Sequence, residues 1–169
     1  MAKYKYIAGT TLASNNSVIS FTSIPQTYTD LVIKLSGKSN INGDGDGVRL
    51  TINGTDLNPT GKGIRFFGSG NPGFSGGDNL NTAYVPGSGS GMLSTMFGVH
   101  EFYFPEYTSS SSKMILTEGA SEKNGNTALY MYSVLNHPTT SGITSISIGN
   151  FDSGGTQWVA GSKAYLYGI

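Results

Sequence analysis

Apolar residues recur along this chain with a period of two, and nowhere do they hold helical spacing for three turns. That alternation predicts an all-β chain, with strands over 3–8, 18–22, 30–37, 48–53, 64–67, 99–107, 113–118, 128–135, 143–149 and 157–167, bounded by Gly, Pro, Asn and Ser clusters. Leu31, Ile33 and Leu35 share one phase, as do Val48, Leu50 and Ile52, while Lys34 and Thr51 take the other. One buried and one wet face per strand is the pattern of a sandwich. Ten short strands in one domain suit two antiparallel sheets packed face to face, a jelly-roll-like β-sandwich with additions. An immunoglobulin-type sandwich fits less well, because the Cys…Trp…Cys signature is missing and the strand count is high for the length.

Three stretches complicate the alternation. In "SFTSIPQTYTDLVIKL", residues 20–35, Pro25 has no N–H to donate and ends the pairing, 26–29 turn, and Leu31 restarts a strand. This predicts a corner at which the chain crosses from one sheet to the other. Over 128–135 the two phases carry Leu129, Met131 and Leu135 against Tyr130, Tyr132 and Val134, so that strand is expected to be central or to meet a neighbouring subunit. From Gly68 to Gly91 the chain reads "GSGNPGFSGGDNLNTAYVPGSGSG", a single long Gly-rich loop that is either a contact arm or a flexible excursion. Phe74 and Tyr84 favour contact, since an aromatic ring gains little in water.

Composition narrows the function more than the fold. At 169 residues the chain is the size of one domain, 1–169, that can bury a core without disulfides or metals. Charged residues are 12% of the chain, against roughly 25% in an average soluble domain, and the net charge is zero. No global field draws it to nucleic acid or to a membrane. The 25 glycines suggest disorder only until ten Tyr and eight Phe are counted with them. Cysteine is absent, which removes disulfides, thiolate metal sites and a Cys nucleophile. The start, "MAKYKYIAGT", has no apolar leader pattern, and the longest aliphatic runs are triplets such as Leu31-Val32-Ile33, far too short for a membrane span. Asn15-Asn16-Ser17 and Asn53-Gly54-Thr55 match the glycosylation pattern without a secretory context and carry no weight.

Candidate chemistry is sparse. A nucleophilic site needs a base beside Ser or Thr, and the two histidines are His100, in "VHEFYFPEY", and His137, in the turn-like "LNHPTTSG". Neither stands in a triad spacing. Glu101 and Glu106 are the conceivable glycosidase pair, but five positions apart on a strand they point to opposite faces and read as rim charges. Asp44 and Asp46 in "NINGDGDGVRL" begin like a calcium loop, yet Val48-Arg49-Leu50 follow where further ligands are due, and a hairpin turn explains them better. "TGKGIRF" and "GSGSGML" do not follow the phosphate-loop order. The expectation is no catalytic residue, no cofactor and no metal ligand. Trp158, alternating with Ala160, reads as an inner-face anchor, whereas aromatics on the second phase of their strands would be exposed on a monomer and invite assembly.

Three segments carry a resemblance. "SVISFTSIPQTYTDLVIKLSGKSN", "VRLTINGT" and the closing "ITSISIGNFDSGGTQWVAGSKAYLYGI" resemble a pattern common in virion proteins of tailed bacteriophages, cyanophages among them. There a strand ending F-x-S-I-P turns into an alternating strand, and the chain closes on a strand rich in Tyr and small residues. The likeness covers both ends and much of the middle and is looser over 68–91. It implies a jelly-roll virion structural protein, usually a homotrimer, assembled in the host cytoplasm. The role implied is a capsid decoration (cement) protein bound to the major capsid protein, or a head or tail fibre domain recognising host surface glycans.

Overall fold

Each of the ten predicted strands has a counterpart, several with shifted limits. The computed structural model describes residues 3–43, 45–56, 62–68, 73–78, 84–88, 95–123, 127–151 and 155–169. In chain order the strands are β1 (Lys5–Thr11), β2 (Val18–Phe21), β3 (Leu31–Gly37), β4 (Gly45–Ile52), β5 (Thr55–Asp56), β6 (Lys62–Gly68) and β7 (Gly73–Asp78). They continue as β8 (Tyr84–Pro86), β9 (Gly98–Phe104), β10 (Lys113–Lys123), β11 (Thr127–His137), β12 (Ile146–Asn150) and β13 (Lys163–Gly168). No helix occurs among the described residues.

Two antiparallel sheets form a jelly-roll-like sandwich. The larger has eight strands in the order β1-β13-β3-β9-β10-β11-β6-β7; the smaller runs β2-β12-β4-β5, with β8 also paired to β4. At both ends the chain alternates between sheets, so β13 lies between β1 and β3 while β12 lies between β2 and β4. The corner at Pro25 is one such crossing, from β2 in the small sheet to β3 in the large one. Buried Ile24 donates its N–H to the Thr144 carbonyl, and Tyr107, itself buried, donates its hydroxyl to the Pro25 carbonyl.

The core is the layer between the sheets. Leu31, Ile33, Leu35, Phe102, Phe104, Ile115 and Leu166 from the large sheet meet Ile19, Phe21, Val48, Leu50, Ile52, Ile146 and Ile148 from the small one. Each such side chain contributes about 1.5–3 kcal/mol by leaving water. Trp158 is fully buried among them, as expected of an anchor. Its indole N–H donates to the Ile148 carbonyl at 3.0 Å, and its backbone bridges Asn16 and Ser39.

The segment 68–91, expected to be one long loop, contains two strands. β7 pairs with β6 from Phe67↔Gly73 to Lys62↔Asp78, and β8 pairs with β4 with Val85 fully buried. Glycine-rich strands have weak propensity and no side-chain alternation to reveal them. Here main-chain pairing to a neighbour decides. Elsewhere the limits move. The strand predicted over 113–118 continues through Gly119 and Ala120 to Lys123 because β9 and β11 flank it, and the one predicted over 157–167 starts only at Lys163, after a turn in which Gly161 has φ 90°.

Candidate functional site

The outer face of the large sheet differs from what a solvated sheet face usually is. Antiparallel register places directly opposed residues on one side, so the face can be read in rows across the strands. One row runs Tyr6, Tyr167, Val32, Tyr103, Leu116 and Val134. The next runs Tyr165, Lys34, Glu101, Glu118 and Tyr132, and a third Lys163, Ser36, Val99, Ala120 and Tyr130. Aromatic rings therefore flank a polar centre. Val32, although on this outer phase, is fully buried between its register neighbours Tyr167 and Tyr103.

On the β1 flank, Tyr4 and Tyr6 pack edge-on against Tyr167 with ring centroids 5.9 and 6.1 Å apart. Lys34 Nζ lies 5.1 Å over the Tyr4 ring and 3.3 Å from Glu101 Oε2. On the other flank Met114, Tyr130 and Tyr132 are 57, 38 and 39% exposed. Tyr130 donates its hydroxyl to Glu118 at 2.7 Å, and Tyr103 donates to Asp30 at 2.8 Å. Each of those hydrogen bonds, to a carboxylate that prefers a neutral phenol, raises the tyrosine pKa above its ordinary value, with partial burial adding to it.

Between the flanks lies a groove of about 470 Å³ lined by Tyr165, Lys34, Glu101, Glu118, Lys163 and Val99 among others. Its floor crosses β9 and β10 where His100 faces Gly119. His100 is on the inner phase, buried, and its imidazole occupies the space a side chain at 119 would need: a Cβ there would sit 1.9 Å from Nδ1. The ring belongs to the interior layer rather than to the groove.

The other singled-out residues do not converge. His137 is directly opposite Lys113 at one end of the β10–β11 pair, six positions along β10 from the His100 partner, about 20 Å away at strand rise. Both are buried. Lys113 donates to the Ser109 and Ser111 carbonyls at 2.6 Å, and burial lowers its pKa. Burial lowers the pKa of His137; the Thr55 backbone opposes it to a smaller extent, and the Lys113 charge adds the least, a further lowering. The Thr55 contact is not a well-formed hydrogen bond, since Nε2 lacks one among the described residues. Glu106 sits past the end of β9 at φ 45°, its N–H donating to Asp30 Oδ1.

Asp46 is not in a hairpin turn but inside β4, buried, accepting from Ser39 Oγ at 2.8 Å; pairing with Val85 of β8 makes it strand. Asp44 lies outside the described residues, as does the Phe74 side chain. Among the described residues no three His, Asp or Glu side chains gather as a metal site would require. The acidic pair that does form is Glu101 and Glu118, opposed across β9 and β10. Only strand register reveals it, because the two lie seventeen positions apart with no motif between them.

Compared by sequence, the chain matches no protein-family model and no curated protein.

Proposed function

We propose that the protein is a virion structural protein, a capsid decoration (cement) protein that stabilises a phage head by binding several copies of the major capsid protein. The observation that carries this reading is the one-sided distribution of the exposed tyrosines among the described residues. Tyr4, Tyr6, Met114, Tyr130 and Tyr132 lie on the large sheet's outer face. Large amphipathic rings are what protein interfaces recruit. Binding through several such patches at once, as a homotrimer, turns modest single contacts into lasting attachment. The resemblance of the two chain ends to tailed-phage virion proteins supports the same reading, with assembly in the host cytoplasm. Cryo-electron microscopy of the particle carrying this chain tests it: the expected density is on the head shell, at three-fold or pseudo-three-fold positions. Density on the tail alone, or none, overturns the decoration role.

A second reading, a head or tail fibre domain that recognises host surface glycans, is favoured by the groove between the two aromatic flanks.

A further inference from the structure

We infer that the groove across β13, β3, β9 and β10 is a binding site for a neutral saccharide, a run of pyranose rings lying crosswise to the strands. The inference deepens the second reading above, yet it concerns the isolated chain and holds wherever that chain sits in a particle.

Shape is the first argument. Four adjacent strands span about 14 Å and two rows of side chains about 7 Å, an elongated trough whose 470 Å³ falls in the range of ordinary ligand sites. Its long axis crosses the strands on a sheet face. The main-chain groups of these inner strands are used in the ladders on both sides. A peptide binding by strand addition needs a free edge, and this face has none to offer.

Charge is the second. Lys34 and Lys163 are matched by Glu101 and Glu118, so a polyanion meets two carboxylates and a polycation two ammonium groups. What remains complementary is an uncharged molecule rich in hydroxyls, donating to the carboxylates and accepting from the lysines. Tyr165 and Val99 supply apolar surface for the C–H face of a sugar ring.

Preorganisation is the third. Glu101 and Glu118 stand directly opposite each other, an arrangement that by itself destabilises a sheet. Each is held by a partner on its far side, Glu101 by Lys34 and Glu118 by the Tyr130 hydroxyl. The Tyr165 ring rests against Gly9, where an added Cβ would come within 2.4 Å of it. The polar and aromatic walls are thus fixed before any ligand arrives, which lowers the ordering cost of binding.

The test is a neutral-glycan array on the full chain, followed by NMR titration with the tetrasaccharides that score, with sialylated and chitosan oligosaccharides as charged controls. The expected result is saturable binding of a neutral glycan, with shifts centred on Val99, Glu118 and Tyr165. Tyr165→Ala and Glu118→Gln should each weaken it by about tenfold, while Ser147→Ala, on the opposite sheet, leaves it unchanged. Glu118→Gln alters only an exposed side chain and keeps the test informative if Tyr165→Ala unfolds. An array negative for every neutral glycan overturns the inference. So does unchanged affinity in Glu118→Gln, or a preference for the charged controls. None of these outcomes bears on where the chain sits in a particle, which the microscopy decides separately.

Discussion

The two outer faces of the sandwich are built on the same scaffold and could hardly differ more. On the small sheet, Ser20, Ser147 and Thr51 form one cross-strand row and Val18, Gly149 and Arg49 another. The Ser20 and Ser147 hydroxyls are 2.8 Å apart, and the larger exposed groups in these two rows are Val18 and Arg49, with no aromatic ring among them. The large sheet's corresponding face carries tyrosines in three successive rows, two lysines and an opposed pair of glutamates. Short hydroxyl side chains satisfy water and ask for nothing else. Large rings left partly exposed on a single chain are costly unless something covers or uses them. Fold stability comes from the layer between the sheets, which both faces share, so the contrast lies in what each face exposes.

That separation can be broken from the inside first. Trp158→Ala removes the largest fully buried side chain and its hydrogen bond to Ile148, and should cost about 3–5 kcal/mol in chemical denaturation. A loss below about 1 kcal/mol would mean that the inner layer is not the seat of stability. Gly119→Ala forces the buried His100 ring to move and should cost about 1–3 kcal/mol; a neutral result would show that His100 has another place to go. On the outer face, Tyr132→Ser should weaken particle attachment by more than about 1 kcal/mol in co-sedimentation while leaving the denaturation midpoint nearly unmoved.

A smaller effect, also from the interior, appears with pH. The folded-state pKa of His137 is below its unfolded value of about 6.5, so the unfolded chain takes up the proton first. Its contribution to stability is complete above that unfolded value and is lost as pH falls through the lower folded one. Melting temperature should therefore decline on acidification below about pH 6.5, and His137→Leu should flatten that decline. A variant that keeps the full slope would assign it to other groups. The smallest expected change is Ser147→Ala on the small sheet, within about 0.5 kcal/mol in stability and without effect on attachment or glycan binding.

Burial by phase was legible in the sequence: Leu31, Ile33 and Leu35 are inside and Lys34 is out. So was the corner at Pro25, because a missing N–H is a local fact. What was not legible depends on which strand lies beside which. Gly73–Asp78 is a strand because β6 offers it a ladder, and Asp46 is strand rather than turn because Val85 arrives from thirty-nine positions away. His100 is buried only because a glycine is its cross-strand partner. Sequence offers Glu101 the partner Glu106, five positions on, whereas its neighbour in space is Glu118. Alternation assigns faces; it is silent on register.

The interleaving of the chain's two ends has a consequence for how the molecule comes into being. β1 reaches the large sheet only through β13, and β2 reaches the small one only through β12. Neither sheet can be completed on the ribosome before the last strands emerge, and the decisive contacts close loops of well over a hundred residues, which makes folding slow. The same late closure protects the finished domain. Freeing β13 or β12 means breaking ladders on both sides, whereas β1 and β2 are edge strands with one partner each, so local opening is expected to start at the N-terminal edge strands and to leave the β13 and β12 pairings in place.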